Sequence, residues 1–366
     1  MNVRENRSET ETEPPGDNHT DALIDILHNH ISGRGTVYRP GHYRRLLQQE
    51  LVRYTGIPVE YIKFDFISPD VISEIISNLL KPGDEAVLAA PCREDVSAAA
   101  DMSGSYVINH CAESIHISDP DSLIGRVGKS TGLVYLANPN SVTGIVYSRW
   151  ELERILKAIN PTILLLDESS YEFSWITAVD LIMNYDNLAV IRQFPRLEDI
   201  QSIRNYYILG HQHILRHIGA KNVLSESDLD DAAAIAGLRS LAAYNRQARK
   251  IREIMLYLST RLRSLGFHCL SASAGRLPVR VGRSYEVVEV LRNAGINAED
   301  ISGQPSMSGY ISIFSESDYQ SAEIVNIFRS LAAGESDTEI RMGRKLVPAE
   351  NHDEKHNAKR ANAPIH

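Results

Sequence analysis

Residues 131–144 read Thr-Gly-Leu-Val-Tyr-Leu-Ala-Asn-Pro-Asn-Ser-Val-Thr-Gly, and residues 163–173 read Ile-Leu-Leu-Leu-Asp-Glu-Ser-Ser-Tyr-Glu-Phe. In each stretch an unbroken apolar run ends in polar residues. Two further apolar runs, 86–89 and 188–191, have the same character. Strands of a parallel sheet have this composition because helices cover both of its faces. The four runs therefore predict a mostly parallel sheet.

Helical patterns separate and follow these runs. Ser148 and Glu151 have the spacing of a capping box, apolar residues then recur on one helical face, and Pro161 comes next. This alternation of strands and helices predicts an α/β domain. A long amphipathic stripe that begins at Ile251 is followed by two short strand patterns and a last helical pattern. We interpret this later part as a smaller α+β domain.

These patterns divide the chain into five segments. They are an unstructured tail at 1–20, an N-terminal part of the small domain at 21–55, the large α/β domain at 56–235, the small α+β domain at 236–334, and a second unstructured tail at 335–366. Both tails are rich in charged residues and poor in large apolar side chains. Ordering them would bury too little apolar surface to offset the lost conformational entropy.

The composition excludes several classes of function. The 366 residues include 38 basic and 47 acidic side chains, a net charge of −9, which disfavours binding to nucleic acid through its phosphates. No apolar run reaches the ~18 residues that a membrane span needs, and the polar N-terminus lacks the apolar stretch of a secretory signal. Three widely spaced cysteines disfavour a disulfide framework. We therefore predict a cytoplasmic protein without nucleic-acid or membrane partners.

Three motifs follow buried runs in a fixed order. They are Asn-Pro-Asn-Ser-Val-Thr-Gly at 138–144, Asp-Glu-Ser-Ser-Tyr-Glu-Phe at 167–173, and the stretch at 192–207 that begins Arg-Gln-Phe-Pro-Arg. Together they resemble the landmarks of the fold-type I pyridoxal-phosphate aminotransferases of class I/II, closest to the histidinol-phosphate aminotransferase group. The resemblance covers roughly residues 30–332. It implies the fold of that family, which has a mostly parallel central sheet and a smaller α+β domain.

The resemblance also implies roles for particular residues. Asp167 matches the carboxylate that pairs with the pyridinium nitrogen and makes the cofactor ring an electron sink. Arg204 and Ser68 match positions that hold the cofactor phosphate, for which an arginine offers a charge-assisted contact. Ser141 and Ser170 stand where the family has an asparagine and a tyrosine that hydrogen-bond the ring hydroxyl.

Arg196 stands at the position of the family's catalytic lysine. A guanidinium keeps its proton at ordinary pH, so it neither forms an imine nor shuttles protons. The resemblance therefore implies pyridoxal 5'-phosphate, or a preformed aldimine of it, held without a covalent bond, and ordinary transamination absent or very slow. Loss of the cofactor is the alternative. Arg196 is either a bystander on an altered loop or a group that holds a substrate anion.

Other family positions differ as well. The ring-stacking aromatic expected after Pro91 is replaced within Cys92, Arg93 and Glu94, and Tyr310 stands where the family has a carboxylate-binding arginine. A cation beside a cysteine can activate a thiolate, but this triplet is isolated and predicts no catalytic thiol.

No metal site is predicted. Three histidines cluster at His211, His213 and His217, and no carboxylate or cysteine completes a ligand set at a familiar spacing. We interpret the cluster as a solvated helix start.

Three functions remain open on this basis. The first is an aminotransferase-like protein of amino-acid or specialised metabolism that takes a small amino acid or amine. The second is an inactive pseudoenzyme that acts as a binding or regulatory partner, and the third is an enzyme with cofactor-free chemistry in the old cleft. Because the family builds each active site from two subunits, the resemblance also implies a homodimer.

Overall fold

A computed structural model of the protein describes residues 42–64, 71–112, 115, 117–195, 206–218 and 228–333. The two predicted tails, 1–20 and 335–366, lie outside the described residues. None of the described helices is long and apolar enough to cross a membrane.

Within these ranges, seven strands form the large sheet: β1 (Ile62–Lys63), β2 (Glu85–Ala90), β3 (Tyr106–Cys111), β4 (Thr131–Ala137), β5 (Ile163–Asp167), β6 (Leu188–Gln193) and β7 (Tyr206–Gly210). Their order is β1-β7-β6-β5-β4-β2-β3. Strands β2 to β6 run parallel, whereas β7 is antiparallel to both β6 and β1. The four apolar runs became β2, β4, β5 and β6, and the prediction of a mostly parallel sheet is confirmed.

Helices cover both faces of this sheet: α1 (His42–Thr55), α2 (Val71–Leu79), α3 (Glu94–Met102), α4 (Pro120–Ile124), α5 (Arg149–Ile159), α6 (Gln212–Leu215) and α7 (Asp228–Arg239). One core contains Leu152 and Ile155 of α5, and the other contains Ile75 of α2. Each such fully buried side chain contributes about 1.5–3 kcal/mol. The two apolar faces explain why the strands carry unbroken apolar runs.

The predicted capping box starts α5. The Ser148 hydroxyl accepts a hydrogen bond from the Glu151 amide at 3.3 Å, and the Glu151 carboxylate accepts one from the Ser148 amide at 2.7 Å. The helix ends at Ile159, before Pro161.

The later part of the chain forms the predicted α+β unit from α8 (Leu241–Ser264), β8 (His268–Cys269), β9 (Leu277–Arg280), α9 (Ser284–Asn293), β10 (Asn297–Asp300), β11 (Tyr310–Phe314) and α10 (Asp318–Ala332). Its four strands are antiparallel in the order β10-β11-β9-β8. Leu258 and Leu262 of α8 pack with Phe328 of α10 in a separate core.

Helix α1 belongs to the core of the large sheet. Its Leu47 and Leu51 are fully buried there, and the helix packs against α7. The sequence predicts that residues 21–55 join the small domain, but the described part of that segment, 42–55, packs with the large domain.

Two glycines allow backbone segments to approach each other closely near the boundary between the two domains. A Cβ on Gly144 would lie 2.0 Å from the Ser271 carbonyl oxygen, so the loop after β4 meets the loop after β8 backbone to backbone. A Cβ on Gly237 would lie 2.5 Å from the Pro195 carbonyl oxygen, so α7 touches the end of β6. Ser240 alone separates α7 from α8.

Candidate functional site

The carboxyl ends of β2, β4, β5 and β6 lie at one edge of the large sheet because these strands run parallel. Open α/β sheets bind ligands at this edge. The residues that follow the four strands, Pro91, Asn138, Glu168 and Phe194, begin the loops that build the site.

Asp167 is the last residue of β5 and is 4% exposed. The Tyr135 hydroxyl donates to its Oδ2 at 2.7 Å, and the Ser169 amide donates to its Oδ1 at 2.9 Å, joined by the Ser169 hydroxyl. Burial, and then the nearby Asp167 carboxylate, raise the pKa of Tyr135 well above its usual value, so the phenol keeps its proton and donates it. Three donors therefore fix the orientation of the Asp167 carboxylate.

Arg93 occupies the segment where the family's aromatic ring is missing. Its Nε donates to Asp95 at 3.0 Å, its Nη2 pairs with the same carboxylate, and its Nη1 donates to the Tyr206 hydroxyl at 3.2 Å. Gln193 also donates to that hydroxyl at 2.7 Å. Burial lowers the pKa of Arg93, but its hydrogen bonds to Asp95 and Tyr206 outweigh this and raise the pKa above its usual value. Three of the five N–H groups of this guanidinium are thus bonded to protein groups.

Cys92 is a buried thiol. Burial raises its pKa to about 11, with a smaller contribution from Asp95. It is therefore protonated at neutral pH.

Glu168, the next residue after Asp167, forms a buried ion pair. Arg192 donates to Glu168 Oε2 through Nε at 3.0 Å and Nη2 at 2.9 Å. The Ala178 amide donates to Oε1 at 2.7 Å, and the Thr177 hydroxyl donates to Oε2 at 2.8 Å. Burial raises the pKa of Glu168 although Arg192 acts to lower it. Every oxygen of this carboxylate is satisfied by the protein itself.

An aromatic group extends the Glu168 network. The Arg192 guanidinium carbon lies 3.9 Å from the centre of the Tyr171 ring, a cation–π geometry. The Tyr171 hydroxyl hydrogen-bonds that of Tyr54 on α1. Glu172 is buried beside this group, and burial raises its pKa to about 7. Sequence reasoning missed this network, although Glu168 and Arg192 lie inside two of the quoted motifs.

The structure places three of the six predicted site residues at the same edge. Asp167 ends β5, while Ser141 and Ser170 lie half-buried in the loops after β4 and β5. The Ser141 loop is fixed because Asn140 Oδ1 accepts the amides of the two residues that follow Ser141, at 3.0 and 2.9 Å.

The other three predicted residues, Ser68, Arg196 and Arg204, lie outside the described residues. Their proposed roles therefore rest on their positions in the sequence.

No described lysine lies beside Asp167. Lys81 and Lys129 precede β2 and β4, at the opposite edge of the sheet. Lys157 and Lys250 are on α5 and α8. Lys63 of β1 is in register with Asp167, but β7 and β6 lie between them. Three strand spacings put the two backbones about 14 Å apart.

The histidine cluster is a contact between two rings. His211 Nδ1 and His213 Nδ1 are 2.8 Å apart on the loop before α6 and its first turn. In the part of the chain that is described, no group of three or more His, Cys, Asp or Glu side chains is arranged to hold a metal ion.

Comparison with known proteins identifies the class. The family model described as "Aminotransferase class I and II" matches residues 10–313. The chain therefore belongs to the class I and II aminotransferase family. Among curated relatives, it is 25% identical over 293 residues to a histidinol-phosphate aminotransferase of Acinetobacter baylyi, covering 78% of this chain and 79% of that protein. A Geobacillus protein of the same name is 27% identical over 206 residues, which span 54% of this chain and 56% of that protein.

Solved structures share the fold. A histidinol-phosphate aminotransferase from Sinorhizobium meliloti, in complex with pyridoxal-5'-phosphate, superposes with a TM-score of 0.73 at 18% identity, covering 87% of this chain and 88% of that one. An L-threonine-O-3-phosphate decarboxylase from Porphyromonas gingivalis superposes with a TM-score of 0.68 at 19% identity, covering 88% and 100%. The architecture is that of fold-type I, as predicted.

The described residues fit the family's cofactor at one contact. The Asp167 carboxylate offers about four acceptor sites and receives three donors, so one site is left for a ring N–H. They do not fit the stacking contact, because Arg93 and its partners stand in the segment that should supply the aromatic ring.

Proposed function

We propose that this aminotransferase-family protein binds pyridoxal 5'-phosphate non-covalently at the Asp167 edge and has little or no ordinary transaminase activity. The observation that supports the proposal is that no described lysine lies beside Asp167, while Arg196 stands at the lysine position in the sequence. When bound, the cofactor supplies an electron sink for the substrate.

The chain's own residues would bind and orient this group. Asp167 would accept the ring N–H in the orientation that Tyr135 and Ser169 give it. Arg204 and Ser68 would hold the phosphate. A guanidinium does not release its proton at neutral pH, so Arg196 would hold an anionic group of the substrate rather than move a proton.

Ser141 and Ser170 would contact the ring hydroxyl from their loops at the same edge. The substrate we propose is a small amino acid or amine, handled by a homodimer in the cytoplasm. Light scattering after size exclusion measures the oligomeric state, and a monomer at micromolar concentration would remove the homodimer from the proposal.

The test begins with titration of cofactor-free protein by calorimetry. We expect saturable micromolar binding of pyridoxal phosphate to the wild type and at least about tenfold weaker binding to Asp167→Ala, because a charge-assisted contact is lost. Asp180→Ala is the matched control, since this exposed aspartate pairs with Arg149 away from the site. Equal binding by both variants would remove Asp167 from the proposal.

Borohydride reduction followed by peptide mass spectrometry tests the absence of a covalent link. We expect no lysine modified by the cofactor. A modified lysine would contradict the proposal, and Lys63→Met would then show whether the lysine level with Asp167 is the attachment point.

A second function is favoured by the Arg93 network. Because three of the five N–H groups of this guanidinium are bonded to Asp95 and Tyr206, fewer of them are left for a ligand. This supports a pseudoenzyme that acts as a binding or regulatory partner. Absence of cofactor binding to a folded wild-type protein in the same titration is the result expected for it.

A further inference from the structure

A groove of about 710 Å³ lies between the two domains. Helix α8 forms one wall, and the end of β8 with the loop that follows it, residues 269–273, forms another. The large domain contributes segments 143–146 and 173–176. Ligand sites for small molecules have volumes of about 300–1,000 Å³, so the groove has the size of such a site.

The lining combines an apolar surface with two cations. Val146, Phe173 and Ile176 supply apolar contacts, and Arg252 and Arg263 project from α8. None of the described residues that line the groove is acidic, although the chain as a whole has a net charge of −9.

The two arginines differ in how they are held. Arg263 Nη2 donates to the Cys269 carbonyl at 2.9 Å and to the Leu270 carbonyl at 3.5 Å, which fixes this guanidinium against the groove wall. Arg252 makes no ion pair with any residue that the structure describes. A carboxylate or phosphate is the partner that such guanidinium groups bind most strongly, through two parallel hydrogen bonds.

Helix α8 carries an excess of basic residues, in two groups at 246–252 and 261–263. Six of its side chains are cationic and one, Glu253, is acidic: the cations are Arg246, Arg249, Lys250, Arg252, Arg261 and Arg263. The local positive potential attracts anions to this side of an otherwise acidic protein.

We propose that this groove is a binding site for a small organic anion, in which an apolar body lies on Phe173 and Ile176 and a carboxylate or phosphate is held by Arg252. Arg263 is about 16 Å further along the helix and is bonded to the chain, so it adds positive potential rather than a second contact to the same anion. The ligand touches the loops that carry Ser141 and Ser170, because Thr143 and Ser174 also line the groove. The site therefore links ligand binding to the position of those loops. This inference does not depend on the proposed function.

A natural reporter lies at the groove. The chain has two tryptophans. Trp175, 44% exposed, lies between the lining residues Ser174 and Ile176, and Trp150, 66% exposed, is on α5. A Trp150→Phe background therefore leaves Trp175 as the only tryptophan, and its fluorescence, excited at the red edge, reports occupancy.

The probe is phenyl phosphate, titrated into the cofactor-free Trp150→Phe protein. We expect a saturable change of Trp175 fluorescence, a dissociation constant raised at least about tenfold in Arg252→Gln, and no change in Arg261→Gln. Arg261 is the matched control because it is exposed on the same helix and outside the groove. Benzoate separates carboxylate from phosphate recognition, and phenol tests whether the charge is needed.

Two results overturn the site. If Arg252→Gln and Arg261→Gln weaken binding equally, the helix attracts anions by its general charge. If phenol binds as well as phenyl phosphate, the groove is apolar only. Repeating the titration with Arg204→Gln separates this site from the proposed cofactor site, because Arg204 is the group proposed to hold the cofactor phosphate and we expect the phenyl phosphate constant to be unchanged in that variant.

Discussion

Asp167 and Glu168 are adjacent carboxylates at the end of β5, yet their surroundings are opposite in kind. Glu168 is sealed between Arg192, Thr177 and the Ala178 amide, and all of its partners come from the protein. Asp167 is oriented by Tyr135 and Ser169 but keeps an acceptor site at the edge where we propose that the cofactor binds.

The difference separates a polar network that stabilises the fold from a carboxylate that is left available to a ligand. The Glu168 network joins the ends of two strands to α1 through Tyr171 and Tyr54, and it is complete without any ligand. Arg93 acts electrostatically on Tyr135, which donates to Asp167, and it stands in the segment where the resemblance implies a ring-stacking aromatic residue. Buried polar networks are costly when half-satisfied, so the network beside Glu168 resists change, whereas the ligand edge can be altered without unfolding the chain.

Breaking the Glu168 pair has the largest expected effect. Arg192→Met leaves a buried carboxylate without its cation, and we expect the free energy of unfolding to fall by about 3–5 kcal/mol. Urea denaturation measures it. The control is Arg149→Met, which removes an exposed pair with Asp180 and is expected to cost less than about 1 kcal/mol. Equal losses would show that the Glu168 pair is not the structural element inferred here.

The pH dependence of the unfolding free energy at Glu172 provides a second test of the buried network beside Glu168. Its pKa in the folded protein, about 7, is above the usual 4.5, so its stabilising contribution is full below pH 4.5 and is lost as pH rises through 7. Glu172→Gln cannot ionise and lacks this loss. Between pH 5 and pH 8 we expect the wild type to lose about 2–3 kcal/mol relative to this variant. Parallel pH profiles of unfolding would contradict the buried, unpaired character of Glu172.

The Asp167 side is expected to be less sensitive. Tyr135→Phe removes one of the three donors to the Asp167 carboxylate, and we expect a loss of about 1–2 kcal/mol in unfolding free energy. Tyr185→Phe, which removes a part-buried hydrogen bond to Glu153, is the control in the same assay. A loss as large as that of Arg192→Met would erase the distinction between the two carboxylates.

Arg93→Gln has the smallest expected effect on stability. The Arg93 side chain is 37% exposed and its pair with Asp95 is partly solvated, so we expect a change below about 1 kcal/mol. Cofactor affinity measured on the same sample completes the test. A large loss of stability would show that Arg93 stabilises the fold, as Glu168 and Arg192 are expected to do, and would contradict its assignment to the edge that can be altered.

Sequence reasoning predicted the elements that are buried on both faces. The runs that became β4 and β5 are apolar throughout because two cores cover them. It did not predict β3 (Tyr106–Cys111) or β10 (Asn297–Asp300), which lie at sheet edges. Their exposed positions carry polar residues such as Asn109 and Glu299, so the apolar pattern is interrupted.

The candidate site was predictable only where contacts are local. The motif at 167–173 placed Asp167 at a strand end, and the structure has it there. Arg93, just before α3, contacts Tyr206 on β7, and the two residues are 113 positions apart in the sequence. Such a pairing depends on strand order, which single-sequence patterns do not encode. The packing of α1 (42–55) with the large domain was not predicted for the same reason, since α1 packs against α7, distant in sequence.

Helix α8 is long enough that a small tilt displaces its far end by several times more than its near end. Its 24 residues extend about 36 Å, and it is joined through Ser240 to α7, whose Gly237 rests on the Pro195 carbonyl next to position 196. A 5° tilt of α8 about that joint would carry its far end about 3 Å. A small change of angle at Ser240 would therefore move the far end of α8 together with the small-domain residues packed on it.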